Sequence, residues 1–165
     1  NTASGSDSIA AGHLANASRG GQSAFSSYGG FTTTRGESQS SEQTLQMITT
    51  DATQTTMQRV WNSPGISLPI PTDTTWLFDI KIVARRTDAD NESAAYTIQG
   101  CIDNNAGTTA LVGTITKVVL AEDTAAWDVT AEADNTDDQL VIKVTGEAAK
   151  TIRWVAFVRT VEVTG

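Results

Sequence analysis

The sequence predicts an all-β protein, and three observations support this prediction. Thr and Val recur throughout the 165 residues, whereas Leu is sparse. From about residue 43 onward, runs of alternating apolar and polar residues are separated by Gly, Asn, Asp and Pro. No window combines the period of an amphipathic helix with helix caps. We therefore expect a short β-roll or β-solenoid repeat segment over residues 1–42 and a jelly-roll-like β-sandwich over residues 43–165.

Residues 1–42 consist mainly of small residues and cannot form an ordinary core. Residues 3–10 and 17–25 resemble each other, and residues 33–39 repeat the pattern more loosely. Each pass has two small residues, a glycine turn and a Ser before an apolar position, at a spacing of about one solenoid turn. One and a half coils cannot bury their own faces. The segment therefore predicts additional coils in a longer protein, neighbouring chains in an oligomer, or both.

The remaining sequence predicts eight strands of alternating pattern. They are residues 45–49, 56–60, 75–85, 94–102, 111–120, 126–131, 139–145 and 151–163. The tryptophans Trp76, Trp127 and Trp154 fall within these strands and are assigned to the core. The last strand is apolar on both faces, with Trp154 on one side and Phe157 on the other. Burial of both faces predicts a central strand that lies against a neighbouring subunit.

The charge balance limits the class of partner. The chain has 11 basic and 19 acidic residues, a formal net charge of −8. Such a surface repels phosphate backbones and anionic lipid, so we expect no nucleic-acid partner. No apolar run reaches the length of a membrane span, so we expect no membrane insertion.

Catalytic residues are scarce in this sequence, and we expect neither an enzyme nor a cofactor. His13 is the single histidine and Cys101 the single cysteine. A lone cysteine excludes an internal disulfide and a Cys-rich zinc site, and its strand context predicts a buried, inert thiol. Paired carboxylates in loops leave glycoside hydrolysis as a remote alternative.

One acidic loop could hold calcium. Asp88, Asp90 and Glu92 lie in a predicted connection between strands, and Ca²⁺ takes several oxygen ligands from one loop. The sequence does not match an EF-hand. An ordinary loop of solvated charges is the favoured alternative.

Trp61 differs from the other tryptophans because it stands at a strand end, before the turn signal of residues 62–65. An exposed indole beside amide side chains is a common sugar-stacking arrangement. We therefore take Trp61, Asn62, Asn104 and Asn105 as candidate receptor-binding residues. Packing of Trp61 against an adjacent subunit is the alternative.

Two parts of the chain resemble known virion and adhesin sequences. Residues 1–25 are similar to the Ala-Ser-Gly repeats of trimeric autotransporter adhesin heads and of many phage fibres. Residues from about 40 to 165 resemble a domain found at the C-terminal ends of phage tail fibres and related virion proteins. The matching stretches are residues 49–54, the Leu68-Pro69 step before Trp76, residues 83–85, Gly146, and residues 151–156 and 161–163.

The resemblance implies a homotrimeric virion appendage that is joined to the upstream part of the same fibre or to neighbouring virion proteins. Attachment to a host cell-surface glycan or protein would then rest on three weak sites of one rigid trimer. The alternatives are a structural trimer that decorates or cements the capsid surface, and the C-terminal trimerisation end of a depolymerising tailspike.

Overall fold

The computed structural model describes residues 1–27, 31–59, 67–89 and 91–165. The predicted all-β, sandwich-like fold is confirmed, and the described ranges contain no helix. Their strands are β1 Thr2–Ala3, β2 Ile9–Gly12, β3 Asn16–Ala17, β4 Ser23–Ser26, β5 Ser38–Thr49, β6 Thr55–Thr56, β7 Leu68–Pro69, β8 Thr74–Arg86, β9 Ser93–Asn105, β10 Thr108–Glu122, β11 Asp128–Asp134, β12 Gln139–Thr145 and β13 Ile152–Thr164.

A large sheet has the strand order β10-β9-β8-β13-β5-β4-β2. Strands β8, β9 and β10 form an antiparallel meander, and β13 returns to lie between β8 and β5. The last strand pairs with both neighbours along almost its whole length, from Ile152 to Val163. Its predicted central position is therefore confirmed.

A smaller sheet of β11, β12 and β6, with β7 paired to β12, covers one face of the large sheet. The core lies between the two sheets, and the three predicted core tryptophans are almost completely buried. Trp127 and Trp154 meet in a tilted arrangement with ring centroids 5.7 Å apart. Trp154 Nε1 donates a hydrogen bond to Thr49 Oγ1 at 3.0 Å, which satisfies the polar atom of this buried ring.

Residues 1–27, here called the coil segment, form two parallel strand pairs. β1 pairs with β3 and β2 with β4, in both cases with partners fourteen residues apart in sequence. Gly12 adopts a φ of +87°, and a Cβ at this position would lie 1.8 Å from Ser26 O. Glycine is required here because the neighbouring turn approaches its backbone so closely.

The coil segment is continuous with the large sheet because β4 pairs antiparallel with β5. Strand β5 therefore runs across the predicted boundary between residues 42 and 43. Its inward-facing residues change from apolar at Leu45 and Met47 to polar at Gln39, Ser41 and Gln43. This polar end is buried because the coil segment packs over it.

Candidate binding surfaces

The predicted receptor-binding residues occupy different environments. Asn104 is fully buried at the end of β9, where its Nδ2 donates to Ile70 O at 3.1 Å. Its Oδ1 accepts from Gly107 N at 2.9 Å, so one end of the amide holds the β9–β10 turn and the other ties it to Ile70. Asn105 is exposed and donates from Nδ2 to Asp103 Oδ2 at 2.8 Å. Trp61 and Asn62 lie outside the described residues.

The acidic loop proposed for calcium is an ion-pair network in its described part. Arg86 Nε donates to Asp88 Oδ1 at 2.8 Å, and Lys150 Nζ donates to Glu92 Oε1 at 2.8 Å. Arg86 also contacts Glu92, at 3.1 Å. Asp90 lies outside the described residues. The two described carboxylates are thus paired with cationic side chains, and no group of three or more His, Cys, Asp or Glu in the described ranges is placed to hold a metal ion.

These contacts favour the charged form of each carboxyl group. The hydrogen bond from Arg86 lowers the pKa of Asp88 below its ordinary value. The hydrogen bond from Lys150 and that from Arg86 lower the pKa of Glu92 in the same way. Conversely, the hydrogen bonds to Glu147 and Glu92 raise the pKa of Lys150.

The outer face, the side of the large sheet turned away from the small sheet, carries many exposed apolar side chains. On the two central strands β8 and β13 they are Leu77, Val83, Val155, Phe157, Val161 and Val163. Exposure reaches 58% for both Leu77 and Val161. On β10 the apolar side chains continue with Val112 and Val118. The predicted apolar character of the second face of β13 thus extends across several strands.

Strand register arranges this outer face in rows. One row runs through Val112, Cys101, Leu77 and Val161, which are successive partners across four strands. Cys101 is only half-buried here, so the prediction of a buried thiol was wrong. It shares its face with outward-pointing Leu77 rather than with the inward Ile98 and Ile102. Partial burial and the nearby Asp103 charge raise the pKa of this thiol.

A polar row crosses the same face between two apolar areas. Asp79, Arg159 and Glu42 are successive cross-strand partners on β8, β13 and β5. Arg159 Nε lies 3.4 Å from Glu42 Oε1. Acidic and basic groups therefore alternate along this row, and exposed Lys81 and Arg153 add further charges among the apolar side chains of the same face.

Arg19 joins the coil segment to the domain. It is only 5% exposed, its Nη2 donates to Glu162 Oε1 at 2.6 Å, and its Nε donates to Gln43 Oε1 at 3.2 Å. The guanidinium carbon lies 4.5 Å from the centroid of the Trp76 ring, a cation–π distance. Glu162 Oε2 accepts from Gln39 Nε2 at 2.8 Å. Each member of this buried pair therefore also has a hydrogen bond to a glutamine side chain.

Arg59 lies beside Arg19 but has different partners. Its Nη1 donates to Gly20 O at 3.4 Å, while its Nε is buried without a hydrogen-bond partner. Burial lowers the pKa of Arg59, and the neighbouring Arg19 charge lowers it further. Arg19 and Arg59 line a cleft of about 430 Å³ between the coil segment and residues 69–71.

Sequence reasoning did not single out either arginine. Arg19 occurs in a repeat of small residues, and Arg59 precedes a predicted turn, so neither belongs to a recognisable motif. One feature of the sequence does point to this region. Polar residues at inward positions of β5, together with Glu162 on the last strand, indicate that a polar partner covers that end of the sandwich.

Comparison with known proteins adds little to this description. No family profile and no protein of curated function matches the sequence. The tailspike protein of Acinetobacter phage vB_ApiP_P1 aligns with 76% of this chain at a TM-score of 0.29 and 9% identity. The chain covers 22% of that tailspike, about a fifth of its length. Similarity at this level supports no conclusion about fold or function. Among the described residues, none forms a helix with the length and apolar character that a membrane crossing requires.

Proposed function

We propose that this chain is a non-catalytic, homotrimeric module of a phage appendage, and that it attaches the virion to a host surface. The observation that carries the proposal is the apolar outer face of the large sheet. A single chain leaves Leu77, Val83 and Val161 each more than half exposed. Exposed apolar side chains clustered on one face of a sheet mark interaction sites.

A second copy of the chain is the occupant that best fits this face. The polar row of Asp79, Arg159 and Glu42 carries both signs of charge, so in a threefold ring an acidic group of one copy can pair with Arg159 of the next. Charged groups inside an apolar interface fix its register and exclude partners that cannot pair with them. Packing of further copies would also provide the neighbours that the short coil segment requires.

A binding role agrees with the described chemistry better than catalysis does. Asp88 and Glu92 each form an ion pair, and Asp134 binds backbone amides of the following turn. Carboxylates held in this way have low pKa values and are poor general acids. A rigid trimer with three equivalent weak sites would instead gain its affinity for a surface from multivalency.

The proposal is tested by adding the purified, fluorescently labelled protein to cells of the phage's susceptible host. We expect saturable binding that unlabelled protein competes away and that a resistant, receptor-deficient host strain lacks. A protein of equal net charge controls for nonspecific adsorption. Absence of binding at saturating concentration, or location of the chain on the capsid of intact particles, would contradict attachment and would favour the role of a capsid-decorating trimer.

A further inference from the structure

The arginine cleft, lined by Arg19, Arg59 and residues 69–71 together with Gly5, Ser6 and Ser18 of the coil segment, has an unbalanced positive charge. Glu162 neutralises Arg19. Within the described ranges no Asp or Glu forms an ion pair with Arg59, and its neighbours in sequence, residues 60–66, include no acidic residue. The cleft therefore holds one uncompensated cation in a chain whose net charge is −8.

The environment of Arg59 favours an anionic partner. A partly desolvated cation without a counter-charge is destabilising, and the Nε of Arg59 is already buried with no hydrogen bond. A single long bond to Gly20 O satisfies little of a guanidinium that has five N–H donors. A planar carboxylate, or two oxygens of a tetrahedral sulfate group, matches the fork of such donors.

The shape of the arginine cleft restricts the rest of the ligand. Pro69 and Pro71 are exposed and Ile70 is buried between them, so they form a short apolar wall. Ser6 and Ser18 are exposed on the coil segment and offer hydroxyl groups to the same cleft. A volume of about 430 Å³ lies in the range of small-molecule sites and is sufficient for a compact ring.

We propose that the arginine cleft binds an acidic sugar, with the anionic group at Arg59, the apolar ring face against Pro69 and Pro71, and ring hydroxyls toward the two serines. This inference rests on the proposed attachment function, for which it supplies a receptor class: a glycan that contains uronic-acid or sulfated units. The receptor glycan would then bind at the junction of the coil segment and the sandwich, and not at the β9–β10 turn that contains Asn105.

The test is a calorimetric titration of the full chain with methyl β-D-glucuronide, with neutral methyl β-D-glucoside and sodium sulfate in parallel. We expect the glucuronide to bind and the glucoside to bind at least about tenfold more weakly, because loss of a charge-assisted hydrogen bond has that effect. Arg59→Gln should weaken glucuronide binding about tenfold. Arg35→Gln, which removes an exposed arginine outside the cleft, is the matched control and should bind as the wild type does.

Three results would overturn the inference. They are equal binding of glucuronide and glucoside, unchanged binding by Arg59→Gln, and sulfate binding that the glucuronide cannot displace. If Arg59→Gln does not fold, Arg59→Lys keeps the charge without the planar fork and should bind with intermediate affinity; wild-type affinity in that variant would also count against the site. Host-cell binding by the same samples separates the two proposals, because protein that binds the cells without sugar affinity contradicts this inference alone.

Discussion

At the scale of single residues, Glu162 holds the coil segment on the sandwich. One carboxylate oxygen accepts from Arg19 and Thr160, and the other accepts from Gln39. Each side of the group therefore faces a donor. An amide in its place would point its NH₂ toward one of those donors and would leave Arg19 without a counter-charge.

We expect Glu162→Gln to lower the free energy of unfolding by about 3 kcal/mol, because breaking a buried ion pair leaves an uncompensated charge. The matched control is Glu132→Gln, which removes a surface partner of Lys143 on the small sheet and should change stability by less than about 1 kcal/mol. Urea denaturation followed by tryptophan fluorescence measures both. Equal effects of the two substitutions would contradict a special role for the buried pair.

Acid sensitivity should depend on the network around Glu92. Lys150 and Arg86 depress the pKa of Glu92 in the folded state, so its contribution to stability is fully present above the unfolded pKa of about 4.3. That contribution is lost as the pH falls through the lower, folded pKa. We therefore expect Glu92→Gln to be less stable than the wild type at pH 7, with the difference shrinking toward pH 3. Denaturant midpoints across this range measure the effect, and a difference independent of pH would refute it.

At the scale of elements, the outer face of β8 and β13 should control assembly without controlling folding. Phe157 is exposed near the centre of that face, 39% accessible in the isolated chain. We expect Phe157→Asp to dissociate the oligomer, because it replaces a large apolar side chain of the outer face with a small charged one, while the circular dichroism of the sheet remains. Ala125→Asp, an exposed change in the β10–β11 connection, should leave assembly intact. Sedimentation velocity distinguishes these outcomes.

Cys101 provides an independent measure of the same face. It lies in the row with Leu77 and Val112, so assembly through the outer face would cover it. We expect maleimide to modify Cys101 slowly in the wild-type oligomer and several-fold faster in Phe157→Asp. Partial burial within one chain and the nearby Asp103 raise its pKa in both proteins, and cover by a second copy would slow the reaction further. Equal rates would place the interface elsewhere.

The sequence predicted the positions of those strands that bury one face and expose the other. Alternation located β8 to within one residue at either end and β12 at both ends. The alternating pattern did not predict the first seven residues of β5. The inward-facing residues there are Gln39, Ser41 and Gln43, and polar residues at these positions are typical of a loop. The candidate site was less predictable, since Arg19 and Arg59 come together only when the coil segment folds over the sandwich.

At the scale of the whole molecule, the number of copies is the decisive quantity. We expect sedimentation equilibrium to give about three times the 17.4 kDa mass of one chain. Each copy has a formal net charge of −8, so moderate salt should strengthen the assembly because it screens the repulsion between copies. A folded monomer at all concentrations and salt levels would rule out the trimer.

Because β13 lies at the centre of the large sheet, it determines the order in which the strands can pair during folding. Residues 38–49 and 74–86 each need residues 152–164 as a neighbour, and Ser38 pairs with Val163 across most of the sequence. Neither early strand can complete its hydrogen bonds until that distant segment arrives, so folding should be slow and governed by long-range contacts. Until then two edges stand open to other chains, and at high concentration the chain should aggregate before it can fold.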